Sequence, residues 1–209
     1  MRLLLLGATG RTGRELLRQA VERGHDVKAF VRNPGKLDDI RGVDLRVGSV
    51  LDASALDQAL QGREAVLSTL GSRRPAEVFG TSFMTDVMQA LVPGMERRGV
   101  RRLIVLSAAG VGDVARYGPR PTRMAFRTAL RAIGRDKARS EALVRRTDLD
   151  WTFVYPPALT KGPLTKDYRA AEDLRLKGMA RIRRADVAHF MLDQLQDASF
   201  SRRNAVIGV

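Results

Sequence analysis

Short apolar runs bounded by Gly, Asp or Pro alternate along this chain with longer segments whose apolar residues recur at helical spacing. That alternation predicts a parallel sheet wound with helices. The runs predict strands over 2–6, 26–31, 44–47, 65–67, 102–106 and 151–154, and a weaker last strand over 204–209. The clearest helices are expected over 12–23, stopped by Gly24, over 77–98 with Pro93 as a candidate kink, over 122–147, and over 186–195. The unbroken run Leu3-Leu4-Leu5-Leu6 implies a strand buried on both faces. The 209 residues, 44% of them hydrophobic, suffice for one well-filled core. The expected architecture is therefore one Rossmann-type, doubly wound parallel sheet with helices on both faces, and a small substrate-side loop region over about 156–184.

Composition narrows the chemistry. The chain has no cysteine, which removes disulfides, thiolate catalysis and Cys-ligated metal sites, and fits a reducing, cytoplasmic setting. The first apolar run is too short to span a membrane and lacks the features of a secretion signal, so no membrane association is expected. The formal net charge of +14 is carried mainly by arginine, in pairs such as Arg97-Arg98, Arg101-Arg102, Arg145-Arg146, Arg183-Arg184 and Arg202-Arg203. These pairs are scattered, are not interleaved with aromatics and lie in no nucleic-acid reading motif. The expectation is a solvated basic surface that attracts anionic cofactors and substrates, not a specific nucleic-acid partner.

The motif that carries chemistry is Gly7-Ala8-Thr9-Gly10-Arg11-Thr12-Gly13, placed directly after the first strand and at the start of the first helix. In that context Gly7 permits the tight turn, Gly10 lets backbone amides approach a pyrophosphate, and Gly13 lets helix and strand pack closely. The helix N-terminus then faces the phosphate charge. Together these predict a dinucleotide site.

The end of the second strand decides which dinucleotide. An acidic residue there bonds the 2′-hydroxyl of NAD, whereas an arginine accepts the 2′-phosphate of NADP. This sequence has Arg32 at that position, while Asp26 begins the strand at the far edge. Arg11 can close on the same phosphate from the other side, so NADP(H) is preferred over NAD(H).

With these residues in view, the chain resembles the atypical short-chain dehydrogenase/reductases of the NAD(P)H-binding, NmrA-like group, and within it the biliverdin-IXβ reductase/flavin reductase type. The resemblance covers nearly the whole chain. It rests on the glycine motif, on Phe30-Val31-Arg32-Asn33, on Leu70-Gly71-Ser72-Arg73, on Tyr155-Pro156-Pro157 followed by Gly162-Pro163-Leu164-Thr165, and on Ala188-His189-Phe190-Met191-Leu192. It implies a cofactor site built from Gly7, Thr9, Gly10, Arg11, Thr12, Gly13 and Arg32, with Val50 facing the adenine. It further implies Leu70, Gly71 and Arg73 beyond the fourth strand, and Tyr155, Pro156 and Pro157 over the nicotinamide.

Hydride transfer demands few reactive residues. The Tyr-x-x-x-Lys pair of main-line short-chain dehydrogenases is absent, because Tyr117, Tyr155 and Tyr168 are followed four residues later by Pro121, Leu159 and Glu172. What remains is Ser107, at the carboxyl end of the fifth strand, and Lys137, in the long helix before the sixth. Both are candidates for the nicotinamide side of the site as catalytic and cofactor-contacting residues. Ser107 equally reads as a strand-capping hydroxyl, and Lys137 as a solvated lysine paired with Glu141 one turn later. Two departures from the resemblance, Ala108 in place of a hydroxyl and Ala158 in place of a histidine, put tetrapyrrole reduction in doubt. His25 reads as a surface turn residue and His189 as a packing residue, neither with a partner for acid–base work. Trp151 and Phe153 read as core.

The expected activity is NADPH-dependent hydride transfer to a planar small-molecule acceptor such as a flavin or quinone, by a monomer or small homo-oligomer. The alternative is an NmrA-like redox sensor that holds NADP(H) without turnover.

Overall fold

The computed structural model describes residues 1–37, 42–71 and 82–209. In chain order the elements are β1 (Arg2–Leu6), α1 (Arg11–Glu22), β2 (Asp26–Val31), β3 (Val43–Val47), α2 (Ala53–Leu60), β4 (Ala65–Ser68), α3 (Phe83–Arg98), β5 (Arg102–Leu106), α4 (Arg120–Arg127), α5 (Arg131–Arg145), β6 (Asp150–Tyr155), β7 (Ala158–Thr160), β8 (Arg169–Ala171), β9 (Arg181–Arg183), α6 (Arg184–Asp193) and β10 (Arg203–Gly208).

Among the described residues, eight strands form one sheet in the order β3-β2-β1-β4-β5-β6-β10-β8. Every pairing is parallel except that of β8 with β10. The strand order reverses direction between β1 and β4, and in an open α/β sheet the crevice beyond the carboxyl ends at such a point is the natural ligand site. The leucine run of β1 explains the layering. Leu4 and Leu6 face a core shared with α2, α3 and α5, whereas Leu3 and Leu5 face a second core shared with α1 and α6. Strand alternation thus buries successive leucines in opposite layers, and each contributes roughly 1.5–3 kcal/mol of burial.

Three features depart from the sequence expectation. The single helix expected over 122–147 is broken into α4 and α5 at Thr128, whose φ of −117° and ψ of −102° lie outside the helical region. The break lets Phe126 lie between Gly110 and Gly134, where added Cβ atoms would press on its ring. The 156–184 segment carries the short parallel pair β7–β9 and the edge strand β8, each three residues long and too short to leave a periodic signal. Arg102, expected as part of a solvated basic surface, is buried. Its guanidinium donates from Nε and Nη2 to the Gln194 carbonyl at the end of α6, at 3.1 and 2.7 Å, and pairs with Asp150. Pro93 sits inside α3, which remains one continuous helix from Phe83 to Arg98, and residues 77–81 of the expected helix lie outside the described residues.

Candidate functional site

The glycine turn is built as its chemistry requires. Gly7 has φ of +83°, a left-handed conformation that a side chain would strain, and its carbonyl accepts the Gly10 amide at 2.9 Å and the Thr69 hydroxyl at 3.2 Å. A Cβ on Gly13 would collide with the Gly7 carbonyl oxygen, so only glycine lets α1 pack this closely on β1. Gly10 is the N-cap of α1 and supplies no side-chain cap, leaving first-turn amides of the helix open to an anion. Thr12 and Gly13 are buried beneath the turn, and Arg11 is exposed at the first helical position.

Gly7, Thr9, Gly10, Arg32, Val50, Leu70 and Gly71, all expected from the sequence, line one cleft at the reversal point between β1 and β4. The same cleft takes in Ser49, Thr69 and Phe83, which the sequence reading missed. Thr69 could have been found, since it directly follows β4 at the carboxyl edge. Arg32 follows the last residue of β2, whereas Asp26 at the other end is bonded to Arg63 at 3.1 Å. Of the two, Arg32 lines the cleft and Asp26 does not. Ser72 and Arg73 lie outside the described residues. A glycine cradle that a Cβ would fill and an uncapped helix end together fit a nicotinamide dinucleotide.

A second cluster lies two strands away on the same carboxyl edge. Ser107, directly after β5, donates its hydroxyl to Glu141 Oε1 at 2.6 Å, and the Tyr155 hydroxyl donates to Glu141 Oε2 at 2.6 Å. Arg145 Nη2 donates to the Tyr155 hydroxyl at 3.0 Å and to Asn204 Oδ1 at 2.9 Å. Lys137 is 8% exposed, and its Nζ donates to the Leu106 carbonyl at 3.3 Å. Burial pushes the Lys137 ammonium below its ordinary pKa, against the raising influence of Glu141 and Asp136. The reading of Lys137 as a solvated lysine paired with Glu141 is therefore corrected: Lys137 is tied to β5, and Glu141 serves Ser107 and Tyr155. The Tyr155 side chain is fully buried with its hydroxyl on Glu141, while Pro156 and Pro157 are buried at the end of β6, where the Pro156 carbonyl accepts the Ala109 amide at 3.0 Å.

His189 is also corrected. Its Nδ1 lies 2.7 Å from the Tyr168 hydroxyl and 2.9 Å from Asp193 Oδ2, so it has partners that the sequence did not reveal. His25 lies 3.3 Å from the N-terminal amine in the turn before β2. Trp151 and Phe153 are core residues, as expected.

Beyond the Ser107 segment opens a cavity of about 810 Å³ lined by Arg116, Tyr117, Arg120, Arg123, Arg175 and Lys177 among others. No carboxylate lines it, and Gly118 in its wall abuts the Ala109 carbonyl, two residues after Ser107. Among the described residues no group of His, Cys, Asp and Glu is arranged to hold a metal, and no helix is long and apolar enough to cross a membrane.

The family of NAD(P)H-binding domains matches residues 7–198, from the glycine turn to the end of the sheet's last crossover. The chain belongs to that family. Over 204 residues it is 27% identical to the uncharacterized protein YwnB of Bacillus subtilis, covering 94% of this chain and 92% of YwnB. It spans about half the length of other curated relatives that it matches. Its fold is shared with ChuY, an anaerobilin reductase from Escherichia coli O157:H7, at a TM-score of 0.82 and 22% identity over 99% of this chain and 96% of ChuY. It is also shared with a short-chain dehydrogenase/reductase from Veillonella parvula in complex with NADP, at a TM-score of 0.80 and 20% identity over 100% of this chain and 94% of that one. The family and the doubly wound sheet are those that the sequence resemblance implied.

Proposed function

We propose that this protein is an NADPH-dependent reductase that passes hydride to a planar small-molecule acceptor such as a flavin or quinone. The observation that carries the reading is Arg32 in the cleft beside the Gly7–Gly10 turn, with Asp26 engaged elsewhere. Gly7, Thr9, Gly10 and the first turn of α1 hold the pyrophosphate, Arg32 and Arg11 the 2′-phosphate, Val50 the adenine side, and Leu70 and Gly71 the segment beyond β4. The cofactor supplies the hydride.

Ser107, Lys137 and the Tyr155-Pro156-Pro157 turn form the reacting end, with the arginine-lined cavity beside them for the acceptor. That cavity favours acceptors bearing negative charge, because its lining carries several cations and no carboxylate. Relatives named as reductases support turnover over passive cofactor binding. The cysteine-free composition suits a reducing compartment, and we place the activity in the cytoplasm.

The test is consumption of NADPH by the purified protein across flavins, quinones and biliverdin, with NADH in parallel. Turnover on a flavin or quinone with NADPH favoured is expected. Tight NADPH binding without consumption of any acceptor would instead establish the sensor reading.

A further inference from the structure

Glu141 is the polar centre of a buried network that the cofactor cleft does not include. Its carboxylate receives the Ser107 and Tyr155 hydroxyls, each at 2.6 Å and on different oxygens. Arg145 approaches Oε2 at 3.4 Å and is stacked over Trp151 and Phe153. Glu141 is 2% exposed and Tyr155 0%, so neither reaches solvent, whereas Ser107 stands at the carboxyl edge of the sheet. The groups facing Glu141 are Lys137 and Arg145 on its own helix, Ser107 after β5, Tyr155 on β6 and Asn204 on β10. Asp136, its acidic neighbour on α5, is occupied by the Met84 and Thr85 amides and the Thr85 hydroxyl of α3.

A hydrogen bond of 2.6 Å lets a proton pass between hydroxyl and carboxyl, so Ser107 has a proton source behind it when Glu141 is a carboxyl and a sink when Glu141 is a carboxylate. We propose that Glu141 is the proton-handling partner of Ser107, so that a carboxylate–serine relay occupies the role that a tyrosine–lysine pair fills in main-line short-chain dehydrogenases. The inference rests on the reductase reading above. In reduction, the acceptor gains an electron pair as hydride from the reduced nicotinamide dinucleotide and a proton from Ser107 Oγ. The Ser107 O–H bond breaks as an O–H or N–H bond forms on the acceptor. Ser107 recovers a proton from the Glu141 carboxyl, whose O–H bond breaks in turn. Glu141 is left as carboxylate and is recharged from solvent through Ser107 after product leaves. In the oxidative direction each transfer reverses. Glu141 acts through Ser107 and is a positioning residue, with no contact of its own to substrate.

The test is Glu141→Gln, which keeps the side chain's shape but can neither take up nor release the proton, with Glu141→Asp as the conservative variant. Expected for Glu141→Gln are a kcat loss of about a hundredfold or more with an acceptor KM little changed. Glu141→Asp should restore part of kcat. An unchanged kcat in Glu141→Gln would overturn the relay.

If Glu141→Gln does not fold, Ser107→Ala serves in its place, since it leaves the Glu141–Tyr155 bond intact. Its expected loss equals that of Ser107→Ala/Glu141→Asp, and additive losses in the double variant would overturn the proposal. If the wild type consumes no NADPH with any acceptor, the reductase reading fails by itself and the relay is judged by cofactor affinity. Loss of the Glu141 carboxylate in Glu141→Gln should weaken binding of NADP⁺, whose nicotinamide is cationic, more than that of NADPH. Equal effects on the two would overturn the inference.

Discussion

Ser107 and Glu141, 34 residues apart in sequence, meet through a 2.6 Å hydrogen bond that joins the end of β5 to the middle of α5. Tyr155 closes on the same carboxylate from β6, so its hydroxyl serves the network and not the open site. Burial is the first cause that raises the Tyr155 phenol above its ordinary pKa, and the Glu141 charge adds to it. Tyr155→Phe strips one donor from a buried carboxylate and should lower stability by about 1–3 kcal/mol in urea unfolding. NADPH affinity should change by less than about twofold, because the lost hydroxyl is bound to the buried Glu141, which does not line the cofactor cleft. A tenfold loss of affinity would place the Tyr155 side chain in the cofactor site.

Arg32→Asp puts a carboxylate where the 2′-phosphate is expected. NADPH binding should weaken by at least about tenfold while NADH binding is retained or improved, since a charge-assisted pair is replaced by repulsion. Fluorescence titration of both cofactors measures this, and equal losses would sink the 2′-phosphate assignment.

Gly13→Ala tests the close packing of α1 on the turn. The added methyl group has no room beside the Gly7 carbonyl, so the turn must open, with loss of dinucleotide binding and a cost of several kcal/mol. Gly24→Ala is the comparison: its φ of +74° strains an alanine by about 1 kcal/mol, but nothing crowds the methyl and binding should persist. Thermal unfolding and NADPH titration of the two variants separate crowding from backbone strain.

His189 makes stability depend on pH in a defined direction. Burial lowers its pKa below the ordinary histidine value of about 6.5, and the Asp193 charge offsets this only in part. With the folded value depressed, the unfolded chain takes up the proton more readily. The contribution is therefore complete above about pH 6.5 and is lost as pH falls through the folded value. His189→Gln should flatten that part of the profile in urea unfolding from pH 7 to 5, and an unaltered slope would assign the acid sensitivity elsewhere.

Much of the fold was legible because β1, β2, β4, β5 and β6 are apolar runs with sharp Gly and Asp boundaries, and parallel strands advertise themselves in that way. The turn from Gly7 to Gly13 was legible because the positive φ of Gly7 and the crowding at Gly13 restrict the residue types allowed there. The break at Thr128 was hidden, since it accompanies the packing of Phe126 against Gly110, a contact with another part of the chain. The Ser107–Glu141–Tyr155 cluster was hidden for the same reason. Glu141 has helical spacing from Lys137, which suggested a surface ion pair, and only tertiary packing shows that each side chain turns to a different strand residue. Arg102 likewise has the sequence context of a surface residue and the environment of a cap for α6.

The cofactor site is tested most directly by equilibrium binding of NADPH and NADH to the wild type and to Gly10→Val, whose side chain blocks the approach of the pyrophosphate. The account predicts NADPH binding at least about tenfold tighter than NADH in the wild type, and no measurable binding of either to Gly10→Val. Failure of the wild type to bind either dinucleotide, or undiminished affinity in Gly10→Val, would contradict it.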